Sequence, residues 1–211
     1  MDYSIIDTGG SRSFPAGDAF LNGSSKAGNV VVVLGTGAGK ALSTIKDRKA
    51  AILLELGTEC LGVHTGESRG NEGSNVLGFA RFRLGEAPPS NLVELVKQPN
   101  TDAAALEAAR EVFESAGLGV AVCNDFPGRI VDRLLRPYLN AALRRLDEGL
   151  ATADDMDTTL RLGLGYPEGP IALLERTGLA AHFDVTQALY EALGDPAYAA
   201  ARRARVAKMR S

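Results

Sequence analysis

Two histidines, His64 and His182, are the chain's natural candidates for proton transfer near neutral pH. His64 closes the segment Leu61-Gly62-Val63-His64 in a glycine-bearing loop, while His182 follows a helical pattern beside Phe183 and reads as a half-buried helix residue. A histidine base works with a carboxylate that fixes its tautomer and stabilises the imidazolium. Glu94, in Leu92-Val93-Glu94-Leu95-Val96, reads by itself as a surface strand or loop carboxylate. Asp132, one turn into a helical pattern, reads by itself as simple complementation of the helix dipole. Gly35-Thr36-Gly37-Ala38-Gly39-Lys40 follows an apolar run, as a phosphate-cradling turn would. Its spacing lacks the sixth-place glycine of the dinucleotide fingerprint and fits no P-loop, so it reads as a flexible turn. The amides opening the Lys40 segment could still hold an anion. Glu55 follows Gly35 by about the distance expected of a ribose-binding acid. Cys60 and Cys123 show no metal-ligand spacing and no disulfide framework.

The elements that must position these residues fall into two groups. Tyr3–Asp7, Val30–Leu34, Ala51–Leu56, Val76–Phe82 and Gly119–Cys123 are short β-branched or apolar runs, expected as buried strands. A helical pattern at Lys40–Lys49 between the second and third implies parallel strands with crossovers. Thr8–Gly28 and Gly62–Asn75 read as long loops. Thr101–Ala116 is an amphipathic helix capped by Thr101 or Asp102, facing inward with Leu106, Ala109, Val112 and Phe113, and ended by Gly117. From Pro127 onward only helices are expected. Gly128–Glu148 carries a stripe of Ile130, Leu134, Leu135, Leu139 and Leu143 and is interrupted by Pro137. Thr152 caps the next, with Asp154, Asp155 and Asp157 near its first turn. Gly169-Pro170, Gly178-Leu179 and Asp195-Pro196 begin three more. The domains expected are an α/β domain over 1–123 and a helical one over 127–211, with the boundary at Asn124–Pro127.

The 211 residues carry a formal charge of −3, which gives no reason to expect nucleic acid or an anionic membrane as partner. The basic run Arg202, Arg203, Arg205, Lys208 and Arg210 reads as a solvated helix face. The apolar runs are too short to cross a bilayer, and the start lacks a signal-peptide pattern. With two cysteines, a reducing cytoplasm is the expected location.

The stretch D-F-P-G-R-I-V-D-R-L-L-R-P-Y-L-N over 125–140 resembles the D-x-P-G-F-I-V-N-R-L-L-x-P-Y-x-N-E of the 3-hydroxyacyl-CoA dehydrogenase family. A second match follows at 161–170, R-L-G-L-G-Y-P-E-G-P, against the family's G-x-x-x-P-M-G-P. Upstream, L-V-E-L-V-K-Q-P-N-T at 92–101 is similar to L-V-E-V-V-x-x-P-x-T, and V-L-G-F-A-R-F at 76–82 to V-x-G-x-H-F-F. The resemblance runs from about Asn75 to Lys208 and reaches back toward Asn29.

It implies a truncated Rossmann-like parallel sheet followed by the family's helical domain, an α/β plus all-α chain. It also implies a mechanism. In the family a histidine takes the proton of a 3-hydroxyl as hydride leaves for NAD, oriented by a glutamate and assisted by an asparagine and a serine or threonine. Glu94 holds the glutamate position, Ala80 stands at the histidine and Asp132 at the asparagine, and the hydroxyl residue would fall near Thr58–Cys60. Alanine cannot take a proton, and an ionised aspartate cannot donate one. By strand order Val30–Leu34 corresponds to a strand beyond the dinucleotide turn. Glu55 is then a strand-end carboxylate, Thr8–Gly28 a remnant of a lost first βαβ unit, and the glycine turn a place for a CoA phosphate at most. The family's glycine-rich C-terminal tail has no counterpart. The resemblance therefore implies a non-catalytic chain without NAD, a homodimer or a heteromer with an intact dehydrogenase chain, or an acyl-CoA-binding scaffold. The alternative is an active NAD-dependent enzyme with Asp132 or His64 as a reassigned base.

Overall fold

The computed structural model describes residues 2–211, which divide into two compact units, 2–83 with 89–130 and 84–88 with 131–211.

The first unit is built on a six-stranded sheet whose spatial order is its chain order: β1 (Tyr3–Asp7), β2 (Val30–Leu34), β3 (Ala51–Glu55), β4 (Val76–Arg81), β5 (Leu92–Lys97) and β6 (Gly119–Asn124). All neighbours are parallel except β4 and β5. Every residue of β2, β3 and β4 is buried, which is why they read as continuous apolar runs rather than alternating ones. β5 was not expected as a strand. Its central residue is the carboxylate Glu94, which breaks the apolar signal and is tolerated inside only because it is paired.

The connection from β1 to β2, expected as a loop, is anchored by aromatic side chains. Phe14, before the short helix α1 (Ala19–Asn22), and Phe20, within it, are buried and stack on each other at 4.1 Å, with Tyr3 and Phe113 on either side. Arg81 clamps the same segment, with Nη1 donating to the Ser13 carbonyl at 3.0 Å and to Asp18 at 2.6 Å. Apolar anchors and a buried cation thus fix a stretch that reads in the sequence as a long loop.

Helix α2 is shorter than expected, Ala38–Leu42. The Ser43 and Thr44 hydroxyls bond back to the carbonyls of Lys40 and Ala41 at 3.0 and 2.7 Å, competing with helix continuation. The second long loop contains α3 (Gly62–Thr65), whose first amides bond the Asp125 carboxylate. α4 (Ala103–Ser115) buries Ala105, Ala108, Ala109, Val112 and Phe113, leaving Leu106 only half-buried. Neither expected cap bonds its first turn: Asp102 makes no side-chain cap, and the Thr101 hydroxyl accepts from the Gln98 amide instead.

The second unit is helical, with α5 (Val131–Asp147), α6 (Ala153–Leu164), α7 (Pro170–Thr177), α8 (Leu179–Leu193) and α9 (Arg202–Met209). A single 3-10 turn, Pro196–Tyr198, stands where a helix was expected to begin at Asp195-Pro196. The expected apolar stripe on α5 is wrong in part: Leu134 is 73% exposed and Ile130, just before the helix, is exposed too. The inward row is Asp132, Arg136 and Asn140, one turn apart, beside Leu139 and Leu143. α5 runs through Pro137, whose ring leaves the Arg133 carbonyl without its helical donor. The buried Tyr198 hydroxyl supplies that bond at 3.0 Å. Thr152 caps α6 through the Asp155 amide. Asp157 instead reaches the start of α7, accepting from the Ile171 and Ala172 amides at 2.9 and 2.8 Å. The basic run on α9 is partly paired, Arg203 to Asp147 and Lys208 to Asp184. Among the described residues no helix is long and apolar enough to cross a membrane.

Candidate functional site

Three carboxylates and one guanidinium organise the carboxyl ends of the strands in the first unit. Glu94 lies opposite Ala80 in the antiparallel β4–β5 register and is only 2% exposed. The reading of it as a surface carboxylate is therefore corrected. Its Oε1 accepts the Ile130 amide at 2.8 Å, and its Oε2 lies 3.7 Å from Arg129 Nε. Arg129 is itself buried, in the left-handed region at φ 51°, and its Nη2 donates to the Gly57 carbonyl at 2.6 Å. The adjoining Gly128 amide bonds Thr58, so the 128–129 pair holds the loop after β3. Alanine thus occupies the place opposite Glu94, and an arginine from another segment supplies the positive charge.

That arginine escaped the sequence reading. Its signal lay in the motif itself, where the family's P-G-F becomes Pro127-Gly128-Arg129. A guanidinium neutralises Glu94 but cannot act as a base, since it does not deprotonate in proteins. Neither thiol nearby replaces one. Burial, followed by the Glu94 charge, pushes the Cys123 thiol up to about 11 despite Arg129, and burial together with Asp125 raises Cys60.

Glu55, at the end of β3, has both oxygens engaged. Oε1 accepts the amides of Arg12 (3.0 Å) and Ser13 (2.7 Å), and Oε2 accepts that of Gly35 (2.7 Å). It is a staple between the β1 and β2 loops, not a free ribose acid. The glycine-rich turn is similarly occupied. Thr36 N donates to the Gly9 carbonyl, Gly37 N to the Thr8 hydroxyl and Ala38 N to the Gly35 carbonyl. These three amides are turned to acceptors of the protein itself.

The glycines serve packing. A Cβ at Gly35 would meet the Gly9 carbonyl at 2.1 Å, and one at Gly39 would meet His64 Nδ1 at 2.0 Å. An open sheet holds a dinucleotide where the strand order reverses, and this order never reverses.

His64 lies in α3, not in an irregular loop, with Nε2 3.3 Å from Glu59 Oε1. The same carboxylate oxygen accepts the Gly57 amide at 3.0 Å. Burial works to raise Glu59, but the Gly57 amide and His64 outweigh it and hold the carboxyl below its ordinary value. With Gly10, Arg12, Gly35, Thr36, Gly39, Glu55 and Gly57, this pair lines a cavity of about 200 Å³ at the ends of β1, β2 and β3.

Asp132, in the second unit, bonds Arg136 Nε at 2.7 Å and sits in the first turn of α5. Arg136 Nη1 then donates to His182 Nδ1 at 2.9 Å, and His182 Nε2 bonds Asn140 Oδ1 at 3.0 Å. Asn140 Nδ2 reaches the Thr186 hydroxyl at 2.6 Å, which donates to the Tyr198 carbonyl. Arginine only donates, so His182 is a neutral imidazole protonated at Nε2. Burial, then the Arg136 charge, depresses it to about 3. His182 is fully buried rather than half-buried, a structural link with no proton to exchange near neutrality.

Residues 128–209 match the family of 3-hydroxyacyl-CoA dehydrogenase C-terminal domains. A 3-hydroxybutyryl-CoA dehydrogenase of Bradyrhizobium diazoefficiens is 37% identical over 115 residues, 54% of this chain and 39% of that protein. A mitochondrial hydroxyacyl-coenzyme A dehydrogenase of Sus scrofa is 45% identical over 92 residues, 44% of this chain and 29% of its own length. The chain therefore spans well under half the length of either relative. In three dimensions it is similar to the crystal structure of (S)-3-hydroxybutyryl-CoA dehydrogenase from Ralstonia eutropha. That likeness has a TM-score of 0.72 at 25% identity and covers 87% of this chain and 67% of the other. The Escherichia coli 3-hydroxybutyryl-CoA dehydrogenase gives 0.72 at 26% identity, covering 85% of this chain and 39% of that one. Residues 128–209 thus carry the C-terminal domain of the 3-hydroxyacyl-CoA dehydrogenase family, in a chain whose first unit is a six-stranded, Rossmann-like sheet without strand-order reversal.

Proposed function

We propose that the chain is a non-catalytic, NAD-site-deficient member of this family, acting as a partner subunit or acyl-CoA-binding scaffold in the cytoplasm. The observation that carries this reading is Arg129 beside Glu94, with Ala80 where the family's base would stand. Oxidation of a 3-hydroxyl needs a proton acceptor there. Asp132, the other inherited position, is engaged by Arg136. The partner is a second copy or an intact dehydrogenase chain that supplies catalysis. Support comes from α6, none of whose residues is buried, and from Leu134, Leu150, Leu162 and Leu164, each at least 64% exposed. Size measurement of the chain alone and mixed with an intact dehydrogenase tests the assembly, and a free monomer throughout would refute it. Titration with NADH tests the cofactor side, where no binding is expected up to millimolar concentration.

The competing reading is an active NAD-dependent 3-hydroxyacyl-CoA dehydrogenase with a reassigned base. One observation favours it, the His64–Glu59 pair in a cavity at the strand ends. Micromolar NADH affinity together with turnover abolished by His64→Leu would establish it over the first.

A further inference from the structure

Strand β1 ends the sheet on one side, and its backbone parity decides which groups it leaves without a partner. Thr8 N donates to the Leu34 carbonyl at 2.9 Å, and Val30 N donates to the Asp2 carbonyl at 3.5 Å. Even-numbered residues therefore face β2, and Tyr3, Ile5 and Asp7 turn their N–H and C=O groups outward. Tyr3 is covered there, its carbonyl accepting the Ser25 amide at 2.7 Å. Among the described residues nothing bonds the main-chain N–H or C=O of Ile5 or Asp7. Natural edges are commonly guarded by lysine, proline or a bulge. Tyr3-Ser4-Ile5-Ile6-Asp7 contains neither residue, and its register with β2 is unbroken. Both faces of the edge are unfinished as well. Ile5 packs on the core that holds Phe14 and Phe20, Ile6 on the core of the opposite face, and each stays half-buried.

We propose that this edge pairs with β1 of a second copy of the chain, antiparallel about a two-fold axis at Ile6. In that register Ile5 faces Asp7 of the second copy, and every main-chain N–H and C=O that Ile5 and Asp7 leave open finds a partner. Ile6 meets its own symmetry mate as the close, non-hydrogen-bonded pair and extends the apolar face on that side. A register centred on Ile5 would instead set Asp7 against Tyr3, whose carbonyl Ser25 already holds. The strand also stops where it must. Gly9, at φ 86°, turns its carbonyl inward to Thr36 N, so the chain leaves the edge before reaching the Ser25 segment of the second copy. Charge favours a second copy over an arbitrary extended segment. Asp7 and Lys26 are both exposed, and the segment leading to Lys26 runs on the Tyr3 side-chain face, where a Gly23 Cβ would meet Tyr3 Oη at 2.6 Å. Asp7 shares that face, so the register brings each Asp7 beside Lys26 of the second copy. This surface uses none of the exposed leucines of the helical unit and stands apart from the assembly proposed above.

Disulfide trapping in the full chain, with Cys60→Ser and Cys123→Ser removing the native thiols, tests the register. Ile6→Cys should give a disulfide-linked dimer on mild oxidation, because the two side chains face each other across the axis. Ser4→Cys should give none, since it lies opposite Thr8 of the second copy. Sedimentation equilibrium without cross-linking reads the same contact should the cysteine variant fold poorly. Asp7→Pro spares the ladder with β2, because that N–H points outward, and should raise the dimer dissociation constant about tenfold. Asp7→Lys and Lys26→Glu should each raise it about fivefold, and the two together should restore it. A chain that stays monomeric, including one that takes up an unrelated extended peptide instead, would overturn the proposal. So would Ile6→Cys oxidising no faster than Ser4→Cys. A dimer indifferent to Asp7→Pro and to both charge reversals would overturn it too, while leaving assembly through the helical unit intact.

Discussion

Replacing Arg129 by methionine leaves Glu94 buried without its cation, and the structure sets the scale of the consequence. Nε and Oε2 are 3.7 Å apart. At an effective dielectric near 20 that separation corresponds to about 4–5 kcal/mol of Coulomb attraction, before desolvation is subtracted. Removing one member of a buried pair typically costs about 3–5 kcal/mol, because the other charge is stranded. Arg129→Met should therefore destabilise by about 3–5 kcal/mol. Glu94→Gln in that background removes the stranded charge and should recover about 2 kcal/mol of the loss. A sharper form uses Ala80. Arg129→Phe restores the family's residue, and adding Ala80→His places an imidazole opposite Glu94, so the pair should be more stable than Arg129→Phe alone. Urea unfolding followed by far-UV circular dichroism measures all of these, the chain having no tryptophan. A loss below about 1 kcal/mol for Arg129→Met would refute the reasoning, as would additivity within about 0.5 kcal/mol in both double variants.

Other consequences follow from the same bonds. His182 is held near 3 in the folded protein and returns to about 6.5 when unfolded, so the unfolded chain binds the extra proton between those values. Its contribution to stability is complete above about pH 6.5 and falls by about 1.4 kcal/mol per pH unit on acidification toward pH 3. His182→Gln can keep both bonds without titrating and should flatten that slope in urea midpoints measured across pH. Tyr198→Phe should cost about 1–2 kcal/mol by orphaning the Arg133 carbonyl, and less in a Pro137→Ala background, where the helix supplies its own donor. Equal thermal losses in both backgrounds would show that the hydroxyl does not compensate for the proline. Glu55→Ala strands three amides and should speed hydrogen exchange at Arg12, Ser13 and Gly35 well above that of β3 itself. Unchanged protection at those three would remove its role as a staple.

What the sequence determined by itself was set by local signals. Five of the six strands were legible, because buried parallel strands must be apolar throughout. The caps at Thr152 and Gly169-Pro170 were legible, because capping depends on residues within one turn. Ala80 and Asp132 were legible as departures from a motif. Only the tertiary structure decided which buried charges were paired, since partners lie far apart along the chain: Arg129 beside Glu94, Glu55 across two loops, and His182 between Arg136 and Asn140. A carboxylate inside a strand or on the first turn of a helix looks like surface until its cation is located. For that reason β5 and the polar row of α5 became readable only once the chain was folded.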